Sequence, residues 1–203
     1  MRIGLYGGTF DPIHLGHLIV MENVINYMNL DRIIILPSSN PPHKKDKKIT
    51  NVNTRVEMVS EAIKDNDKII LSTFESTDQV VRYTHDTIKY FTDSLKGHEI
   101  FYIMGEDSFM TIDTWKNYKY ILDSNIIVFS REGIDSESQF VEKVKKVRKD
   151  NPNIFLVNSL SINISSTLIR SLVKDEKSIK YLVKDEVAYI IKQRNLYAWS
   201  WLY

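Results

Sequence analysis

The sequence predicts an α/β protein, a doubly wound parallel sheet with helices on both faces and a small helical C-terminal portion, and two observations predict it. Short apolar runs rich in β-branched residues recur along the chain, and segments with helical spacing alternate with them. The runs are Arg2 to Tyr6, Arg32 to Leu36, Lys68 to Leu71, Glu99 to Met104, Asn125 to Phe129 and Asn153 to Val157. Nearly continuous apolar character reads as strands buried on both faces. Between them, Leu18, Met21, Val24, Ile25 and Met28 share one helical face, as do Val56, Val59 and Ile63, and then Val141, Val144 and Val147. Parallel neighbours need a crossover, and right-handed crossovers place helices on both faces of the sheet.

The composition bounds what such a fold can do. The 203 residues, 43% hydrophobic and 26% charged, describe one domain over residues 1–203 and exclude a disordered or collagen-like chain. Lys+Arg 27 against Asp+Glu 26 gives a net charge of +1, so the overall field points to neither nucleic acid nor a membrane surface. An anionic partner then has to be held locally. With Cys 0 there is no disulfide framework, thiolate metal site or cysteine nucleophile. The N-terminal residues lack the apolar stretch of a signal peptide, and no segment reaches the roughly 20 apolar residues of a membrane span. The expectation is a cytoplasmic protein.

Two stretches depart from the alternation. Ser38 to Asn53 carries Pro41-Pro42-His43 and Lys44, Lys45, Lys47 and Lys48 without apolar periodicity, and reads as a loop. Tyr197 to Tyr203 is aromatic enough to be either a tail docked on the body or the contact of a homo-oligomer.

The most informative stretch follows the first strand: Gly7-Gly8-Thr9-Phe10-Asp11-Pro12-Ile13-His14-Leu15-Gly16-His17. Paired glycines permit positive φ and close approach of backbone N–H groups to an anion, and a following helix N-terminus adds partial positive charge. Phosphate is the natural occupant. Neither G-x-G-x-x-G nor a Walker G-K-[S/T] is present, so dinucleotide and P-loop readings lose weight. His14 and His17, three apart at a helix start, present both imidazoles on one side, with Gly16 leaving room for a ligand. A pair of phosphate donors, a partial metal site and two capping histidines are the three readings of that spacing. Asp11 belongs to the Asp-Pro turn that shapes the surroundings of His14.

A second stretch, Ile164-Ser165-Ser166-Thr167-Leu168-Ile169-Arg170, opens a helix running to about Val173. Its hydroxyls are either simple caps or, with Arg170 one turn in, a second anion site suited to a triphosphate.

These residues carry a resemblance. Gly7 to His17 resembles the G-G-x-F-D-P-x-H-x-G-H motif of the nucleotidyltransferases, and Ile164 to Arg170 the I-S-S-T-x-I-R motif of bacterial nicotinate mononucleotide adenylyltransferases. Pro42-His43-Lys44, Arg55-Val56-Glu57-Met58, Tyr83-Thr84-His85-Asp86-Thr87, Gly105-Glu106-Asp107 with Trp115, and Val187 to Tyr197 are similar to further elements of that family, so the likeness covers nearly the whole chain. It departs at Val81-Arg82, where the family places Gly and Ser.

The resemblance implies a Rossmann-like nucleotidyltransferase that moves the adenylyl group of ATP to nicotinate mononucleotide, releasing pyrophosphate and making deamido-NAD. It implies His14 and His17 as catalytic donors to the α- and β-phosphates, and ATP binding by Gly7, Gly8, Thr9, Phe10, Gly105, Asp107, Ile164, Ser165, Ser166 and Arg170; Arg131 is a candidate ATP contact from its position alone. Acceptor binding falls to Gly8, Lys44, Tyr83, Thr84 and Trp115. Mg²⁺ enters with ATP, held mainly by its phosphates, with no protein metal ligand. Read physically, Asp107 is a ribose acceptor or a helix N-cap, and Trp115 a face for a pyridine ring or a core residue. Arg131 lies at the ligand edge because it directly follows the fifth strand. Tyr83 and Thr84 act through backbone amides, so their side chains do not decide between an acid and an amide acceptor. The alternatives are nicotinamide mononucleotide or phosphopantetheine as acceptor, or a nucleotide-binding module without turnover.

Overall fold

The computed structural model describes residues 1–39, 49–77, 82–130, 138–160 and 162–198. The chain runs through β1 (Arg2–Gly8), α1 (Leu15–Met28), β2 (Arg32–Pro37), α2 (Val52–Ile63), β3 (Ile69–Leu71) and α3 (Thr84–Ser94). It continues through β4 (Glu99–Gly105), α4 (Glu106–Met110), a 3-10 turn (Ile112–Thr114), α5 (Tyr118–Leu122) and β5 (Asn125–Ser130). α6 (Gln139–Arg148), β6 (Ile154–Asn158), α7 (Ser166–Lys174) and α8 (Asp185–Gln193) complete it.

The strands form one sheet in the order β3-β2-β1-β4-β5-β6, every neighbouring pair parallel. The order reverses between β1 and β4, so their carboxyl ends diverge into a crevice where helices leave to opposite faces. Alternate residues feed two apolar layers. Tyr6, Ile33, Ile35, Phe101, Ile103 and Ile127 pack against Val20 and Val24 of α1, Met58 and Val59 of α2, and Val187 of α8. Leu5, Tyr102, Met104, Ile126 and Val128 pack against Ile88 and Phe91 of α3, Phe109 of α4 and Val144 of α6. Burial of each such aliphatic side chain stabilises by about 1.5–3 kcal/mol. At Gly4 a Cβ would stand 2.7 Å from Ile103 Cδ1 and 2.9 Å from Leu30 Cδ1, so a side chain there would force these two buried side chains to shift.

The structure corrects the expected start of the first crossover. β1 runs on through Gly7 and Gly8, which pair with Leu36 and Pro37 of β2, so neither glycine takes positive φ. The left-handed residue is Phe10, at φ 48°. Gly8 is required for close approach instead, since a Cβ there would stand 2.7 Å from the Phe10 ring. α1 begins before Leu18, with His14 as the extended N-cap at φ −145°.

Arg55 sits on the apolar stripe of α2 with Met58, Val59 and Ala62, and is 1% exposed. Its guanidinium donates from Nη1 to the Thr9 carbonyl (2.5 Å), from Nη2 to those of Ser38 (2.7 Å) and Ser39 (3.2 Å), and from Nε to that of Thr50 (2.9 Å). Burial pushes its pKa below the usual value, and Asp11 with Tyr197 pulls it back. Asp11, itself buried, accepts from the Thr50 amide (3.2 Å) and from the Tyr197 hydroxyl (2.7 Å). For Tyr197 the docked alternative is therefore what the structure shows; Trp199 to Tyr203 lie outside the described residues.

Replacing Arg55 by Met keeps an unbranched apolar stem and strips four backbone carbonyls of their donor. The expected result is a loss of about 3 kcal/mol or more of unfolding free energy in urea. A loss under about 1 kcal/mol, the scale of one ordinary hydrogen bond, would show that the loops hold without it.

Candidate active site

At the start of α1 the two histidines are stacked, ring centroids 3.7 Å apart and planes 26° apart. His14 is buried and His17 half-buried. The His14 backbone N–H donates to His17 Nδ1 at 3.2 Å, so in the neutral ring the proton sits on Nε2, which becomes a donor. Phe10 meets His17 edge-on at 5.1 Å and fixes the ring from the other side. The room expected beside Gly16 is filled by protein: a Cβ there would lie 3.0 Å from His14 Nδ1 and 3.5 Å from the Ile164 carbonyl oxygen. That glycine seats the His14 ring and not a ligand. Among the described residues no three His, Cys, Asp or Glu side chains gather as a metal site.

The Ile164 to Arg170 segment reaches the same loop. Ser166 Oγ donates to the Pro12 carbonyl (2.9 Å) and Arg170 Nη1 to that of Asp11 (2.7 Å), joining residues more than 150 positions apart. Ser165 is the N-cap of α7, accepting from the Leu168 amide at 3.1 Å, so the capping reading holds for that hydroxyl.

Two clefts open at the crevice between β1 and β4, of about 510 and 590 Å³. Tyr6, Gly105, Asp107, Phe129 and Asn163 line the first; Gly8, Thr9, Tyr83 and Thr84 line the second; Gly7, Tyr102, Ser108 and Trp115 are common to both. Asp107 is not the cap of α4, a place taken by Gly105, and it is exposed on the first cleft. Its neighbour Glu106 instead accepts from the buried Ser130 hydroxyl at 2.7 Å. Phe10, buried under Gly8, can offer a ligand only its backbone. Lys44 and Arg131 lie outside the described residues.

The second cleft contains groups that the sequence reading did not single out. Glu75, 9% exposed in the turn after β3, accepts from the Thr87 hydroxyl at 2.7 Å. Its two carboxyl oxygens lie 3.8 Å from where a Gly7 Cβ would be. Burial pushes its pKa up to about 7, with the Thr87 hydrogen bond and the charge of Arg82 opposing the rise. Tyr102, hydroxyl 3.4 Å from Thr84 Oγ1, is pushed well above its ordinary value by burial and by Glu75. The Lys116 ammonium stands 4.2 Å over the Tyr83 ring. Nothing in the spacing of Glu75 marks it, whereas the charged Arg55 on an apolar stripe was a readable signal.

Fold and site together define a nucleotidyltransferase: the family described as cytidylyltransferase-like matches residues 5–172. The "probable nicotinate-nucleotide adenylyltransferase" of Clostridium novyi (strain NT) is 40% identical over 96% of this chain and 98% of its own. That of Clostridium acetobutylicum is 39% identical over 95% and 97%. The chain belongs to the nicotinate-nucleotide adenylyltransferase family. Its fold is that of the Plasmodium falciparum nicotinic acid mononucleotide adenylyltransferase complexed with NaAD, with TM-score 0.79 at 23% identity over 97% of each chain. No helix among the described residues is long and apolar enough to cross a membrane.

Glu75 carries a pH signature of its own. Its folded pKa lies above the 4.5 of the free side chain, so the native state holds the proton more tightly. The stabilisation is complete below about pH 4.5 and is lost as pH rises through about 7, an effect on the order of 3 kcal/mol. Glu75→Gln should remove this component from a series of urea melts between pH 4.5 and 8; an unchanged slope would mean that the carboxyl is not held neutral.

Proposed function

We propose that the protein catalyses transfer of the adenylyl group of ATP to nicotinate mononucleotide, giving nicotinate adenine dinucleotide and pyrophosphate, a step of NAD biosynthesis. The observation that carries the reading is the pair of clefts sharing one wall at Gly7 and Trp115, with the His17 ring 6.4 Å from that of Tyr6 in the first cleft. Two ligands can be held there with their phosphates facing each other across the seam. Membership of the family supports the choice of both substrates.

In this reading ATP takes the cleft of Gly105 and Asp107, with the Asp107 carboxylate accepting from ribose hydroxyls. Its triphosphate lies along the loop after β1 towards Ser165, Ser166 and Arg170. Mg²⁺ accompanies ATP as part of the substrate and offsets the charge of the phosphates. The acceptor occupies the second cleft, its ring against Trp115 and the Tyr83 and Thr84 backbone. An acceptor phosphate oxygen attacks the α-phosphorus in line; the new P–O bond forms as the bond to the bridging oxygen of pyrophosphate breaks. No protein nucleophile is needed. His17 Nε2–H donates to the phosphate oxygens on which charge builds, and the His14 stack and the Nδ1 hydrogen bond fix its direction.

The test is pyrophosphate release from ATP and Mg²⁺ with nicotinate mononucleotide, nicotinamide mononucleotide and phosphopantetheine offered separately. Release with the nicotinate acceptor far above the others is expected; another preferred acceptor would displace the substrate assignment, and silence with all three would displace the enzyme. His17→Ala should lower kcat by roughly 100-fold or more, the scale of one transition-state donor. Near-normal turnover in that variant would remove the imidazole from the mechanism.

A further inference from the structure

Arg82 lies in the wall of the second cleft, next to Tyr83 and Thr84. Its guanidinium carbon lies 4.3 Å from the centroid of the Phe74 ring, and Phe74 in turn stacks on Tyr90 at 4.0 Å with planes 17° apart. The Phe74 ring thus seats the guanidinium by a cation–π contact. A guanidinium carries a planar N–H fork, the geometry that pairs with a carboxylate.

The position of the stack along the cleft says which part of an acceptor it meets. An acceptor phosphate has to lie at the seam, where Gly7 is shared with the first cleft. Between Trp115 and the residues that line the second cleft alone, Arg82, Tyr83 and Lys116 among them, lies the space for the rest of the acceptor. Arg82 and Lys116 line this cleft together with one buried acid, Glu75, which feels the charge of Arg82 and whose carboxyl oxygens lie 3.8 Å from where a Gly7 Cβ would be.

We propose that Arg82 is a specificity-determining residue of the acceptor cleft, selecting an acceptor whose ring carries a carboxylate over one that carries an amide, with Glu75 as the protein carboxyl that competes for the same guanidinium. The proposal rests on the acceptor reading given above and adds the residue that enforces it. An amide offers Arg82 one neutral acceptor, whereas a carboxylate offers two charged ones. The groups facing Glu75 are Arg82 ahead of α3, Thr87 on α3 and Tyr102 on β4, with Lys116 and Tyr83 across the cleft. Once ionised, Glu75 repels an anionic ring and draws Arg82 to itself, so the preference for the acid weakens as pH rises through about 7.

The experiment compares steady-state kinetics of wild type, Arg82→Gln and Arg82→Lys with nicotinate and nicotinamide mononucleotides. In Arg82→Gln, kcat/KM for the acid should fall roughly 10- to 100-fold, through KM, as expected for the loss of a hydrogen-bonded charge partner. The values for the amide and the KM for ATP should stay within about 2-fold, within the scatter of a surface change. Arg82→Lys should retain part of the preference, having the charge without the planar fork. In Glu75→Gln the rise of KM for the acid above about pH 7 should disappear, a readout that stands even where an Arg82 variant does not fold. An unchanged acid-to-amide ratio in Arg82→Gln, or a loss shared equally by both acceptors, overturns the proposal while leaving the acceptor reading in place. A wild-type enzyme without preference for the acid overturns both, and it is seen before any variant is made.

Discussion

The site depends on a buried cation. The loop after β1, the end of β2 and the approach to α2 each bring backbone carbonyls to one point, and the Arg55 guanidinium satisfies all of them at once. Buried carbonyls without donors are costly, and a buried guanidinium without acceptors is costlier. Each makes the other tolerable. Asp11 extends the arrangement by taking the Thr50 amide and the Tyr197 hydroxyl on its two carboxyl oxygens, and its own carbonyl takes Arg170. Segments from the first strand, the second helix, the seventh helix and the C-terminal end are thereby pinned together around the start of α1.

This pinning explains why so much polarity sits away from the substrates in a protein of nearly balanced charge. Positioning catalysis asks that a donor be held in one direction before the reaction begins. His17 is held by a hydrogen bond on one ring nitrogen, a stacked imidazole on one face and the edge-on contact with Phe10. Gly8 and Gly16 serve that arrangement by leaving room for the rings of Phe10 and His14. The glycines of the motif are thus packing residues for aromatic side chains as much as openings for a ligand.

Most of the fold was legible in the sequence. Each apolar run became a strand within a residue or two of its expected bounds, and the adjacency of β1 and β4 is that of the doubly wound strand order. The strand and helix bounds at the first crossover were the exception. The extension of β1 through Gly8 depends on β2 being there to pair with it, a tertiary fact without local signal. Tyr83, Thr84, Asp107 and Trp115, which line the clefts, were singled out through the family resemblance, and His17 by its spacing from His14 after paired glycines. Glu75 was not, because a glutamate in a turn looks solvated until the fold closes over it. Arg82 was visible only as an irregularity, and its seat against the Phe74 ring needed the tertiary fold.

The wall that the two clefts share has a consequence for leaving as well as for entering. On the proposed reading, a dinucleotide joined across Gly7 and Trp115 holds both clefts with one molecule, so each half keeps the other at high effective concentration while it detaches. The substrates then arrive as two separate ligands and the product departs as one bivalent ligand, whose release requires both grips to loosen together.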